Sequence, residues 1–320
     1  MMEERILKLF KKQESSFISG EDISSLLKIS RSAVWKHVEK LRSQGYEFDA
    51  VPHLGYRLLK TPDRLFPHEI SSLLKAKILG NNISYHETID STNKAAFDLA
   101  SKGVKEGMVV IAERQAKGKG RLSREWVSPK YAGIYMSVIL RPKVLPFDAP
   151  KLTLLAAVST ATAIKAITGS QLLIKWPNDI LLNKKKVGGI LTEMDAESDS
   201  VNFIILGIGI NVNTKLTDLP KGASSIYEET QIKHSRVELT SSILESLEAY
   251  YLLFQKEGFA QIRREWKNMS ATIGRQVRAK CMRHTIEGEA VDLEPDGALK
   301  IRLDNGFHEK VIAGDLTLLR

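Results

Sequence analysis

Two glycines and four cations within residues 117–124 are the first feature of this chain that suggests chemistry. In AERQAKGKGRLSREW (residues 112–126) Gly118 and Gly120 carry no side chain, so their backbone amides can approach an anion. Lys117, Lys119, Arg121 and Arg124 surround them with positive charge. Two familiar phosphate sites are excluded. Ser123 occupies the position of a dinucleotide fingerprint's third glycine, a strand-like run follows where a helix is required, and no GxxxxGK[ST] occurs. The plain alternative is a flexible basic surface loop.

Three further clusters add polar and charged groups. In IDSTNKAAFDLA, Asp90 or Ser91 can cap a helix, while Ser91, Thr92 and Asn93 place donors and acceptors at its positive end. They read an uncharged polar ligand group or simply cap. In LLIKWPNDILLNKKKVGGIL, Pro177 breaks an apolar strand and Asn178 and Asp179 follow, placed to orient polar ligand atoms or a magnesium-bound nucleotide. Lys184 to Lys186 then form a hairpin tip, which usually guards a sheet edge. Lys186, nearest Gly188 and Gly189, is the one assigned to a reacting phosphate or carboxylate. In LGIGINVN, Gly207 and Gly209 clear one strand face for a ligand or a close neighbour, with Asn211 and Asn213 at its end. Together these groups suit activation of a carboxylate by ATP, in which fixed cations offset repulsion between two anions. No Ser/His/Asp or Cys/His set is evident.

These side chains need elements to hold them. Apolar patterning predicts strands over residues 107–115, 133–140, 172–177, 179–183, 187–194 and 201–212. Helices are predicted over 92–101, 150–168 and 237–257, the last opened by a Ser235-x-x-Glu238 capping box. Short turns between residues 172 and 212 imply a mostly antiparallel or mixed sheet in an α+β layout. From about Thr272, the turn signals Pro295-Asp296-Gly297 and Asp304-Asn305-Gly306 separate short strands.

The N-terminus has a different pattern. Ile6, Leu7, Leu9 and Phe10 recur at helical spacing, then Ile23/Leu26/Leu27 and Val34/Val38/Leu41 flank a polar turn, giving a helix-turn-helix. Its second helix starts near Ser30 to Ser32 and ends before Gly45. Arg31, Ser32 and Lys36 are placed near base edges of a DNA major groove, with His37, Lys40 and Arg42 near phosphates. Trp35 is expected in the core rather than stacked on a base. YEFDAVPHLGYRLL reads as a two-stranded wing, and TPDRLFP (61–67) as a linker.

Composition sets the frame. The 320 residues, 43% hydrophobic, suffice for more than one core. A net charge of +9 favours polyanion partners without naming one. Cys281 is the only cysteine and the histidines lack metal spacing, which excludes a disulfide framework and argues against metal-ligating residues. The opening residues lack a secretion signal's apolar region, and runs such as IILGIGI fall short of the ~18 residues of a membrane span, so a cytoplasmic protein with no membrane partner is expected.

With these residues in place the chain resembles the biotin protein ligases, specifically the bifunctional class that also represses biotin genes. The resemblance runs nearly end to end, on STN (91–93), GKGRLSREW (118–126), KWPND (175–179), KKVGGIL (185–191) and GIGINVN (207–213). It implies a winged helix-turn-helix over 1–62, a class II synthetase-like catalytic domain with a mixed sheet over 67–271, and an SH3-like barrel over 272–320 that helps hold ATP and the acceptor. It implies an enzyme that makes biotinyl-5′-AMP from biotin and ATP, with Mg²⁺, and transfers biotin to a lysine of a carboxylase's acceptor domain. Ser91, Thr92, Asn93 and Gln115 would read biotin, and Gly118, Lys119, Gly120 and Arg121 would close over it. Lys186 would contact the carboxylate and α-phosphate, with Arg121 and Asp179 as further catalytic groups. Arg124, Trp126, Asn178, Asp179 and Asn211 would serve the nucleotide. The adenylate-bound enzyme would dimerise on operator DNA. The usual loop pattern, GRGRxGRxW, has Arg where Lys119 stands and Gly where Ser123 stands, so loop closure is where this chain departs. A lipoate or octanoate ligase shares the catalytic fold but lacks the DNA-binding head and KWPND, and a non-catalytic biotin-sensing repressor would not need Lys186.

Overall fold

A computed structural model describes residues 2–13, 16–281 and 284–319, so Met282, Arg283 and Arg320 of the expected barrel lie outside the described residues. Contacts divide the chain into two units, Met1–Arg64 and Leu65–Arg320.

The first unit holds α1 (Met2–Lys12), α2 (Gly20–Leu27), α3 (Arg31–Ser43), β1 (Glu47–Val51) and β2 (Gly55–Lys60). Hydroxyls start both later helices: Ser19 accepts from the Asp22 amide and Ser30 from that of Ala33. Ile6, Leu7, Ile23, Val34, Val38 and Leu41 close a small core of their own. The wing forms as expected, β1 antiparallel to β2. Gly55 has φ +100°, and a Cβ there would lie 2.1 Å from the Ile18 carbonyl, so only glycine fits the turn.

Two expectations for this unit change, for Trp35 and the linker, and two residues assigned to DNA gain a partner within the head. Trp35 is not in the core: it is 54% exposed, because Val34 and Val38 already fill the inward stripe. His37 and Lys40 both turn to Glu3 on α1, Nδ1 of His37 at 3.3 Å and Nζ of Lys40 in a short contact, which draws them toward a carboxylate of their own chain. Burial raises the Glu3 carboxyl, but those hydrogen bonds and its backbone outweigh it and hold it at about 2. The linker is shorter than 61–67: Leu65 and Phe66 are buried, and the Leu65 amide donates to Glu113.

The second unit contains α4 (Pro67–Leu73), β3 (Asn82–His86), α5 (Thr92–Ser101), β4 (Met108–Ala112), β5 (Gly133–Leu140), α6 (Ala149–Thr168), β6 (Leu172–Lys175), β7 (Asp179–Leu182), β8 (Lys185–Ala196) and β9 (Val201–Asn211). After these come α7 (Ile226–Thr230), α8 (Arg236–Glu257) and α9 (Ala260–Asn268). Seven strands form a sheet in the order β3-β4-β5-β9-β8-β7-β6, parallel only between β3 and β4. It is therefore mixed. One face packs on α6 and α8 through residues such as Ile134, Val138, Leu206 and Ile208. The other face packs on α5 through Val110, Ile139, Phe203 and Ile205.

The helical stretch Pro146–Thr168 is long and apolar enough to cross a membrane, which reading apolar runs alone overlooked. Here its larger part is buried between the sheet and α8.

Five antiparallel strands complete this unit: β10 (Arg275–Lys280), β11 (Thr285–Leu293), β12 (Leu299–Arg302), β13 (His308–Val311) and β14 (Asp315–Leu318), ordered β13-β12-β11-β10-β14. A register shift between Ala290 and Asp292 bends β11 so that it pairs on both sides. Val277, Leu293, Leu299 and Leu316 belong to the same continuous core as the large sheet. A buried ion pair, Arg236 with Glu113 at 2.7 Å, further ties the start of α8 to the strand end that leads to Gln115.

Candidate active site

The register of the large sheet sets up the site. Tyr135, Gly209, Gly189 and Asp179 form one row across β5, β9, β8 and β7, and Gly207 faces the same side two residues before Gly209. Three missing side chains on neighbouring strands leave a trough. Its occupants are side chains: a Cβ on Gly207 would lie 2.1 Å from Asn93 Oδ1, and one on Gly209 would lie 2.6 Å from the Trp126 ring. This settles what the glycine pair is for, since both positions admit the residues that roof the sheet.

At the start of α5, Ser91 caps the helix by accepting from the Lys94 amide, and Ser91, Thr92 and Asn93 are all buried. A hydrogen-bond chain runs beneath them. Ser137 Oγ lies 2.8 Å from Thr92 Oγ1 and 2.6 Å from Asn93 Oδ1. The Thr92 amide and hydroxyl donate to Gln115 Oε1 at 2.8 and 3.0 Å, and Gln115 Nε2 donates to Ser128. With its oxygen occupied twice, Gln115 offers its remaining N–H to the cleft. Asn93 Nδ2 donates to Glu193 at 2.7 Å, so its amide braces α5 to β8.

The glycine loop folds back on itself. The Gly120 amide donates to the Arg124 carbonyl at 2.7 Å and the Trp126 amide to that of Gly118 at 2.9 Å. Gly118 admits no side chain, because a Cβ would lie 2.4 Å from the Trp126 carbonyl. At the tip, Leu122 and Ser123 take left-handed φ values of 55° and 58°, a region that L side chains enter at a cost. Burial lowers the Arg121 guanidinium's pKa, opposed by the carboxylates of Asp179 and Asp315. Arg124 forks onto Asp315 of β14, with Nη1 to Oδ1 at 3.1 Å.

Beyond the cis Trp176-Pro177 bond, Asn178 Nδ2 donates to the Ile190 carbonyl at 2.7 Å and its Oδ1 lies 3.5 Å from Arg121 Nη1. Lys186 Nζ is 2.6 Å from Asp179 Oδ1 and 5.5 Å from the Trp126 ring centroid. Trp126 Nε1 is buried with no hydrogen-bond partner among the described residues, a donor left for something that enters.

These groups line one cleft. It brings together Ser91, Thr92, Asn93, Gln115, Lys119, Gly120, Arg121, Arg124, Trp126, Asn178, Asp179 and Lys186. Two sequence-assigned residues are not among its lining. Gly118 is packed behind Trp126, and Asn211, 3% exposed, donates instead to the Ser224 carbonyl. The Ser224 amide in turn donates to the Lys186 carbonyl, so Asn211 acts on the cleft through the backbone. Sequence reading missed Asp315 and Leu316 on the wall and Ser137 and Glu193 beneath the floor. Only a serine set in the otherwise apolar run 133–140 could have singled out Ser137.

Comparison with known proteins bears directly on this cleft. Residues 85–211 match the model of the Biotin/lipoate A/B protein ligase family, residues 3–57 an HTH domain, and residues 272–318 the Biotin protein ligase C terminal domain. The chain is 42% identical over 317 residues to the Bifunctional ligase/repressor BirA of Bacillus spizizenii, covering 98% of this chain and 97% of that one. It is 30% identical to the protein of the same name from Escherichia coli, covering 94% and 93%. Among solved structures, the biotin protein ligase from Aquifex aeolicus in complex with biotin and ATP superposes with a TM-score of 0.64 at 29% identity, covering 75% of this chain and 99% of that one.

Proposed function

The chain belongs to the biotin protein ligases of the bifunctional ligase/repressor kind, and on that premise we propose how its own residues divide the work. The enzyme joins biotin to ATP as biotinyl-5′-AMP and passes the biotinyl group to a lysine of a carboxylase's acceptor domain; the head makes it a repressor as well.

Ser91, Thr92 and Gln115 recognise the ureido ring, with the Gln115 N–H as donor to its carbonyl, while Asn93 braces them. Arg121 and the amides around Gly120 face the carboxylate and α-phosphate. Lys186 carries the adenylation step. As a biotin carboxylate oxygen attacks the α-phosphorus and pyrophosphate departs, its ammonium offsets the charge that gathers between the two anions. The observation behind this is the 2.6 Å contact between Lys186 and Asp179 within the cleft that also holds Arg121 and Gln115. Asp179 holds the ammonium in place until substrate displaces it. In the transfer step Asp179 accepts a proton as the acceptor's amine attacks the acyl carbon and AMP leaves. Arg124, Trp126 and Asn178 border the nucleotide. Among the described residues no cluster of three or more acidic, histidine or cysteine side chains exists. A magnesium ion would travel on the triphosphate, where Asp179 would hold it, and would supply further neutralisation of phosphate charge.

The repressor works as a dimer on operator DNA in the cytoplasm, where ATP and carboxylase acceptors are available. Among the described residues β7 ends opposite Gly189, leaving the outer edge of β8 over residues 191–196 without a neighbouring strand. Such an edge suits pairing with a second copy once ligand orders the cleft beside it.

The test is pyrophosphate release with biotin and ATP, followed by transfer of labelled biotin to an acceptor domain. Lys186→Ala is expected to bind biotin and release pyrophosphate at least ~100-fold more slowly, the scale for losing one electrostatic contact to a transition state. Normal release by the variant would remove Lys186 from its role. Binding of lipoate in preference to biotin would overturn the substrate.

A further inference from the structure

Trp35 is the largest apolar side chain on the outer face of α3, and the core needs nothing from it, since Val34, Val38 and Leu41 are fully buried. Arg31 and Ser32 lie one helical turn before it and Lys36 directly after it, all exposed. Among the described residues Arg31 and Lys36 have no ion-pair partner, while His37 and Lys40 are held by Glu3. The DNA-facing surface is thereby narrowed to Arg31, Ser32, Trp35 and Lys36. A single exposed tryptophan is ordinary on a protein surface. One set between two unpaired cations, on the second helix of a helix-turn-helix, is positioned for a base edge.

We propose that Trp35 is a sequence-reading residue whose indole packs on the C5-methyl of a thymine in the major groove. That methyl is the apolar group a base pair offers there. The assignment rests on the repressor reading above. Charge selects duplex DNA over a second copy of the chain as occupant, since self-docking through this face would set Arg31 and Lys36 against their own kind. The cations then hold phosphates or guanine edges, and the indole supplies the discrimination that charge alone lacks.

The experiment starts with selection of duplexes from a random-sequence pool by the full-length protein with biotin and ATP. Affinity for the selected duplex is then measured for wild type and Trp35→Ala, with each thymine replaced in turn by uracil, which lacks only the methyl. Wild type should lose about fourfold at one thymine per half-site, the effect of one buried methyl. Trp35→Ala should bind the parent duplex more weakly and not respond to that replacement. Its salt dependence should be unchanged, because an indole neutralises no phosphate. Its biotin transfer should also be unchanged, and its helical circular dichroism and its thermal melting should match wild type, which reports an intact head. A wild type that selects a sequence yet responds to no uracil overturns the proposal without recourse to any variant. So does a Trp35→Ala protein that keeps the full uracil response. A wild type that enriches no sequence overturns the repressor reading itself, and this assignment with it.

Discussion

Arg124 of the glycine loop grips Asp315, the first residue of β14, through both of its terminal nitrogens. The C-terminal strands thus hold the loop that covers the cleft, across 191 residues of sequence. The hydrogen bond from Arg124 lowers the Asp315 carboxyl below its ordinary value of 3.8. A depressed carboxyl contributes stability at neutral pH and loses it as the pH falls through the folded value. Both side chains are partly in water, so a double-mutant cycle with Arg124→Ala and Asp315→Ala should give a coupling of only about 0.5–1 kcal/mol. The clearer signal is leakage: either variant should release biotinyl-AMP faster than wild type, as read by trapping the free acyl adenylate from solution. Unchanged retention would mean the pair does not hold the loop.

The left-handed conformation at Ser123 is a cost that glycine would not bear. Ser123→Gly should favour the closed loop by about 1 kcal/mol or somewhat less, after the greater freedom of glycine in the open loop is counted. The half-life of bound adenylate measures this. A shortened half-life would show that the hydroxyl, not the backbone, sets closure.

Ser137 should influence biotin without touching it. Removing its hydroxyl leaves the Thr92 and Asn93 oxygens short of a buried donor, at a cost of about 1–3 kcal/mol. Ser137→Ala is expected to raise KM for biotin at least severalfold and leave KM for ATP near wild type. Equal increases in both would point to general loosening of the sheet.

The head should have its own acid transition. Glu3 is held at about 2 in the folded head against an ordinary 4.5, so its contribution is complete above 4.5 and is lost as the pH falls toward 2. Glu3→Gln should flatten the head's stability over that range, followed by thermal melting of the full chain at several pH values. A wild-type head equally stable at pH 5 and pH 3 would rule out the pairing.

Much of the cleft was legible in residue type and spacing. Capping hydroxyls at residues 30, 91 and 235 marked helix starts, and strands 133–140 and 201–211 were visible as apolar runs. Gly207 and Gly209 were recognisable as a cleared face, though not which side chains would fill it. What escaped was set by distance in sequence or by competition for one face. Nothing local marks Asp315 as the partner of a loop near residue 124, or Glu3 as the anion for His37 and Lys40. Trp35 was misplaced because size and hydrophobicity favour burial, whereas the helical period assigns position 35 to the side away from 34, 38 and 41. Asn211 sits next to the glycine pair in sequence, yet β9 has by then passed the cleft and its amide serves the following loop.

The two ends of this chain differ in what their removal would undo. Val277, Leu299 and Leu316 complete the interior beneath the catalytic sheet, and the Trp176 indole donates to the Gly297 carbonyl beyond it. Cutting the tail would thus expose the enzyme's own interior to water. The first 64 residues close over their own apolar cluster, so cutting them away would leave the interior of the catalytic sheet covered.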